Sequence, residues 1–123
     1  MFVWAGLIVV FAGIAGACGV AAAAAASHGA AGPDLSIAAP FLMVHAAALL
    51  ALALSATAPR AGYLGAATLM AIGLTLFAGD LAVRAFGGPR LFPMAAPTGG
   101  TLLILSWVAV ALVAIVGLFQ RSH

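Results

Sequence analysis

Apolar residues in this chain run on in four long stretches, with polar residues gathered into the short breaks between them. The stretches are Phe2–Ala26, Ile37–Ala58, Gly62–Phe86 and Thr98–Phe119. The breaks hold Ser27-His28-Gly29 with Gly32-Pro33-Asp34, then Pro59-Arg60, then Gly87-Gly88-Pro89-Arg90 with Pro93 and Pro97, and last Gln120-Arg121. Glycine in such breaks supplies positive φ, proline stops a helix, and Asp34 or Ser36 is placed to cap the second stretch. Crossing about 30 Å of hydrocarbon takes roughly 20 mostly apolar residues, and each stretch meets that length. In lipid the backbone must be satisfied within the segment or in a closed barrel. Barrel strands are about ten residues long and alternate, whereas these stretches are longer and continuous, so the pattern predicts four helices.

Short breaks between long helices give an up-down-up-down path with sequential neighbours antiparallel. The expected fold is all-α, an integral membrane four-helix up-down bundle forming a single domain over residues 1–123. Ala21–Ala26 offers small residues of the kind a signal peptidase cuts after, but the first stretch has no basic leader and is too long for a secretory core. It is expected to remain as a helix. Spacings such as Ala12-xxx-Gly16, Gly13-xxx-Ala17 and Thr75-xxx-Gly79 put small residues on single stripes, where helix backbones in lipid can approach. In a chain this rich in alanine and glycine they arise by chance as well, and alone they identify no interface.

Composition sharpens this picture. The hydrophobic fraction is 67% and the mean hydropathy +1.32, and charged residues make up 5% against about a quarter in soluble domains. The charges are Arg60, Arg84, Arg90, Arg121, Asp34 and Asp80. Four scattered arginines do not form the clustered basic face that nucleic acid requires, so no nucleic-acid partner is expected. One cysteine, Cys18, allows no internal disulfide and reads as a small buried residue with an inert thiol. On the up-down path both termini lie on one side with Arg60, opposite the loops around His28–Ser36 and Gly87–Pro97. Arg60 and Arg121 then oppose Arg90, with Arg84 near it, a slight bias toward cytoplasmic termini. An Ala, Gly and Arg bias without lysine points to a bacterium, and hence to the inner (plasma) membrane.

The same path gathers the polar residues into one half of the membrane. His28 closes the first helix, His45 lies about two turns into the second, Asp80 and Arg84 lie in the last turns of the third, and Thr98 opens the fourth. Asp80 and Arg84 have i,i+4 spacing and can meet on one helix face. Pairing, or snorkelling of Arg84 to the headgroups, offsets the several kcal/mol an isolated charge costs in hydrocarbon. The pair therefore reads first as an anchor for the helix end, and second as a proton, cation or headgroup site. His45 reads as a neutral histidine hydrogen-bonded to another helix. His28, His45 and Asp80 supply three metal-ligand types but lack motif spacing, so no metal and no cofactor is expected. Catalysis has little to work with: no paired carboxylates, no nucleophile with an ordered base, no phosphate-binding loop.

Several segments carry a family resemblance. Ala24-Ala25-Ala26-Ser27-His28-Gly29 looks like a GAFGAHG-type end of helix 1, and Val44-His45-Ala46-Ala47-Ala48-Leu49-Leu50 like a YHALALL-type helix 2. Phe77-Ala78-Gly79-Asp80-Leu81 resembles an FSGSLY-type segment, and Ala96-Pro97-Thr98-Gly99-Gly100 with Leu102–Trp107 resembles TPIGG…GW. In this order the four resemble the DUF423 family of small membrane proteins. Asp80 stands where that pattern has a small hydroxyl residue, and Val44 where it has tyrosine. The resemblance implies a four-helix inner-membrane protein and no particular activity. It also makes His28, His45, Thr98, Gly99 and Gly100 the positions most worth testing.

The leading functional expectation is a non-enzymatic structural or accessory unit among membrane lipids, packing against itself or other membrane subunits. A small proton- or cation-coupled transporter or channel using Asp80 is the second. A lipid- or quinone-binding module, with His45 and Thr98 hydrogen-bonding a polar head, is the third.

Overall fold

The computed structural model describes residues 2–29, 32–55 and 57–123. They form α1 (Phe2–Ser27), α2 (Asp34–Leu54), α3 (Arg60–Ala85) and α4 (Ala95–Arg121), with no strand among the described residues. All four helices are long and apolar enough to cross a membrane, the architecture of a multi-pass membrane protein. At about 1.5 Å per residue the 26 residues of α3 reach about 39 Å.

Helix limits differ from the limits of the apolar stretches. α2 begins at Asp34, before Ile37, and ends at Leu54, short of Ala58. α3 begins at Arg60, before Gly62, and α4 at Ala95, before Thr98. Polar residues stay helical at the membrane surface, so hydropathy marks the lipid boundary and not the helix end. α2 stops early because the Arg60 guanidinium donates to the carbonyls of Ser55 and, at 3.1 Å, Ala53, a cation at a helix C-terminus. Pro97 fits inside α4 because it lies in the first turn, where its missing N–H has no partner to lose. Neither Asp34 nor Ser36 caps α2. Pro33 holds that position without a side-chain bond, and the Ser36 hydroxyl donates to the Pro33 carbonyl at 2.7 Å.

Consecutive helices pack together, and α1 also touches α3 lightly; among the described residues α1 and α4 make no close backbone approach, nor do α2 and α4. The bundle is therefore open, with α2 and α3 in the middle. Leu49, Met70 and Leu74 are fully buried at its centre. Glycine sets the tightest crossing: Gly73 of α3 meets Gly99 of α4, and a Cβ on Gly99 would lie 2.4 Å from the Phe77 nitrogen. Of the small-residue stripes, Ala12–Gly16 faces another helix, Gly16 meeting Ala46 of α2, and Gly79 faces the Leu91 side chain, 3.7 Å from where its Cβ would be. Gly13 has nothing within 4 Å of where its Cβ would be. Thr75 is exposed and returns its hydroxyl to the Ala71 carbonyl at 2.8 Å.

Candidate functional site: two polar clusters within the spans

The first cluster forms where the end of α3 meets the start of α2. Asp80 is completely buried, and its Oδ1 accepts the backbone N–H of Leu91 at 2.9 Å. Its Oδ2 lies 3.2 Å from Arg84 Nε, an ion pair at close range whose alignment falls short of a hydrogen bond. Arg84 also reaches Asp34, Nη1 to Oδ2 at 3.7 Å. One guanidinium thus sits between two carboxylates on two helices, and the deeper carboxylate holds the loop that leads into α4. The i,i+4 spacing foretold the Asp80–Arg84 contact. In sequence Asp34 reads as a cap, and its pairing with Arg84 shows only once antiparallel α2 and α3 bring the two positions level.

The second cluster is deeper. His45 lies eleven residues into α2 and Trp107 twelve into α4, both about 17 Å along helices that run the same way. The indole Nε1–H donates to His45 Nε2 at 3.1 Å, and the other ring nitrogen, Nδ1, lies 2.7 Å from the Phe41 carbonyl. Both nitrogens are satisfied if Nδ1 carries the proton, the neutral form this bonding pattern assigns. Phe41 stacks on His45 and packs against Phe77, ring centroids 5.8 and 4.6 Å away. Among the described residues this cluster holds the one hydrogen bond from α2 to α4, whose backbones stay apart. Trp107 was not singled out from the sequence. The signal was available, since an indole N–H buried in a span needs an acceptor.

The remaining candidates go elsewhere. His28 is exposed in the turn after α1, and Thr98 is exposed at the start of α4. No group of three metal-ligating side chains forms among the described residues, so His28, His45 and Asp80 do not assemble into a ligand set. Gly99 is a packing residue, while Gly100 has only the Phe77 ring nearby, 3.6 Å from where its Cβ would be. Cys18 is exposed, contrary to the expected burial, and lines an open cleft with Leu42 of α2 and Leu74 and Ala78 of α3.

A protein-family model described as "Protein of unknown function (DUF423)" matches residues 12–100. The chain belongs to the DUF423 family. No solved structure matches it. The DUF423 match takes in His28, His45, Asp80, Arg84, Thr98, Gly99 and Gly100, and it ends before Trp107. The indole that completes the His45 cluster thus lies beyond the matched residues, in the Leu102–Trp107 segment that resembles the GW pattern. Replacing either His45 or Trp107 with phenylalanine is expected to cost about 1 kcal/mol in detergent unfolding, with a coupling of roughly 0.6 to 1.7 kcal/mol in the double-mutant cycle. Additive single effects would mean the two rings do not share a bond.

Proposed function

We propose that this DUF423 chain is a non-enzymatic structural or accessory subunit that packs against its own copies or other membrane subunits in a bacterial inner membrane. The observation that carries this reading is that the polar groups within the spans face one another. Asp80 is held by Leu91 and Arg84, and His45 by Phe41 and Trp107. Thr68, Thr101 and Ser106 return their hydroxyls to carbonyls of their own helices. A transport or catalytic site needs polar groups turned toward a substrate. Outward surfaces instead carry apolar side chains, among them Ile104, Leu112 and Val116 of α4 and Leu7, Val10 and Ile14 of α1.

The other two readings meet specific obstacles. A cation at Asp80 would compete with a guanidinium already 3.2 Å from Oδ2. A polar head at His45 would find its one N–H directed to Phe41. An open apolar cleft of about 250 Å³, lined by Phe11, Ile14, Cys18, Leu42, Leu74 and Ala78, offers shape for a lipid tail and no charged side chain.

Cytoplasmic termini are supported by the pairing of the arginines. Arg84 is drawn into the buried cluster by Asp80 and Asp34. Arg60 and Arg121, which donate to carbonyls near the α2–α3 turn, are left to oppose Arg90. The intact chain in mild detergent is expected to run as a multimer or with a co-purifying membrane protein, and in liposomes to give no proton or cation flux. A strictly monomeric, partner-free species overturns the proposal. For orientation, a cysteine at Ser122 in a Cys18→Ala background is expected to react with impermeant maleimide only in inside-out vesicles.

A further inference from the structure

The α3–α4 connection, residues 86–94, is unlike an ordinary polar loop. Phe86, Leu91, Phe92 and Met94 are 67%, 48%, 43% and 61% exposed, although Leu91 rests its Cδ1 near Gly79 of α3. The segment is nonetheless tied down: the Gly88 N–H donates to the Val83 carbonyl at 2.9 Å, that of Leu91 to Asp80 at 2.9 Å, and that of Ala95 to the Phe92 carbonyl at 3.1 Å. Its exposed apolar side chains are thus carried on a held backbone. Arg90 is exposed and makes no ion pair or hydrogen bond among the described residues. Asp34 and Asp80 are engaged by Arg84, so the segment presents one uncompensated cation beside four large apolar groups.

Helix length places this segment in the bilayer. About 39 Å of α3 exceeds the hydrocarbon thickness of about 30 Å but falls within the roughly 40–45 Å that includes the headgroups. Residues 86–94 then lie at phosphate level. Four exposed apolar side chains in water would forfeit the burial that apolar surface gains elsewhere. Beneath the phosphates they are sheltered, and Arg90 meets a complementary charge.

We propose that residues 86–94 form an interfacial anchor docked on an anionic phospholipid surface, with Phe86, Leu91, Phe92 and Met94 below the phosphates and Arg90 paired with one of them. The proposal rests on the reading of the chain as a multi-pass membrane protein. The test uses the full chain with Cys18→Ala, carrying a nitroxide at Phe92→Cys or at the mid-span reference Val108→Cys. The vesicles are phosphatidylcholine with or without phosphatidylglycerol. The label at position 92 is expected to meet oxygen more often than a water-soluble nickel chelate, as the label at 108 does. Retention of phosphatidylglycerol over phosphatidylcholine by the purified protein is expected to fall about fivefold in Arg90→Gln, the effect of one basic residue at an anionic surface, and to be kept in Arg90→Lys. A label at 92 open to nickel puts the loop in water and overturns the anchor. A label shielded from both reagents points to a protein partner and overturns it too. An undiminished preference in Arg90→Gln overturns the charge pairing. Nickel access at position 108 overturns the membrane reading beneath the proposal, an outcome distinct from the other three.

Discussion

Gly99→Ala is expected to unseat α4 from α3 and to lower stability by about 3 kcal/mol or more, the upper end for overpacking a closed contact. The added Cβ would stand 2.4 Å from the Phe77 nitrogen and 2.7 Å from the Gly73 carbonyl oxygen. Both neighbours are backbone, so no side chain can swing aside and the whole helix must shift. The crossing is tight from the other side as well, since a Cβ on Gly73 would lie 3.0 Å from the Gly99 carbonyl oxygen. Shifting α4 also moves Trp107 off His45, which couples this crossing to the deeper polar cluster. Gly100→Ala is the matched control. Its Cβ meets only the Phe77 ring, at 3.6 Å, and alanine is the better helix former by roughly 0.5 to 1 kcal/mol, so that variant is expected to be neutral or slightly stabilised. Thermal or denaturant unfolding in detergent measures both. Equal stability for the two variants would mean that α3 and α4 do not cross here.

Asp80→Ala is expected to have the next largest effect, about 3 kcal/mol, the lower end of the range for removing one member of a buried ion pair. Two groups lose their partner at once: the Leu91 amide, with no other acceptor described, and Arg84 Nε. Arg84 keeps Asp34 and is partly exposed, so its loss is incomplete, which sets the lower figure. Asp80→Asn keeps an oxygen for Leu91 and is expected to cost roughly 1 to 2 kcal/mol. Asp80→Ala with Arg84→Leu is expected to recover part of the loss, because an apolar replacement of a whole buried pair is often close to neutral. Detergent unfolding of the four proteins is the measurement. A double variant less stable than Asp80→Ala alone would show that Arg84 does not depend on Asp80.

The polar residues show where reading from sequence reached and where it stopped. Asp80 with Arg84 was legible, because i,i+4 spacing on a helix is a geometric fact once the helix is granted. Asp34 completing that pair was not, because contact between helices depends on how α2 and α3 rotate about their axes. His45 was legible as a residue needing a partner, but the partner depends on depth in two helices whose backbones do not touch. Gly99 and Gly100 stand side by side in one motif and look equivalent there. Rotation by one residue, about 100° on a helix, puts one against backbone and leaves the other beside a ring.

By itself the sequence determined that the chain is built from four helices able to cross a membrane. Long apolar stretches with almost no charge admit few other ways of satisfying a backbone, and that constraint is local to each segment. Tertiary structure alone decided that the bundle stays open, that Asp80 secures the α3–α4 loop, and that Trp107 closes on His45. Such contacts join residues far apart in the chain, and what selects them is the fit of one helix surface against another, glycine against backbone at Gly73 and Gly99 above all.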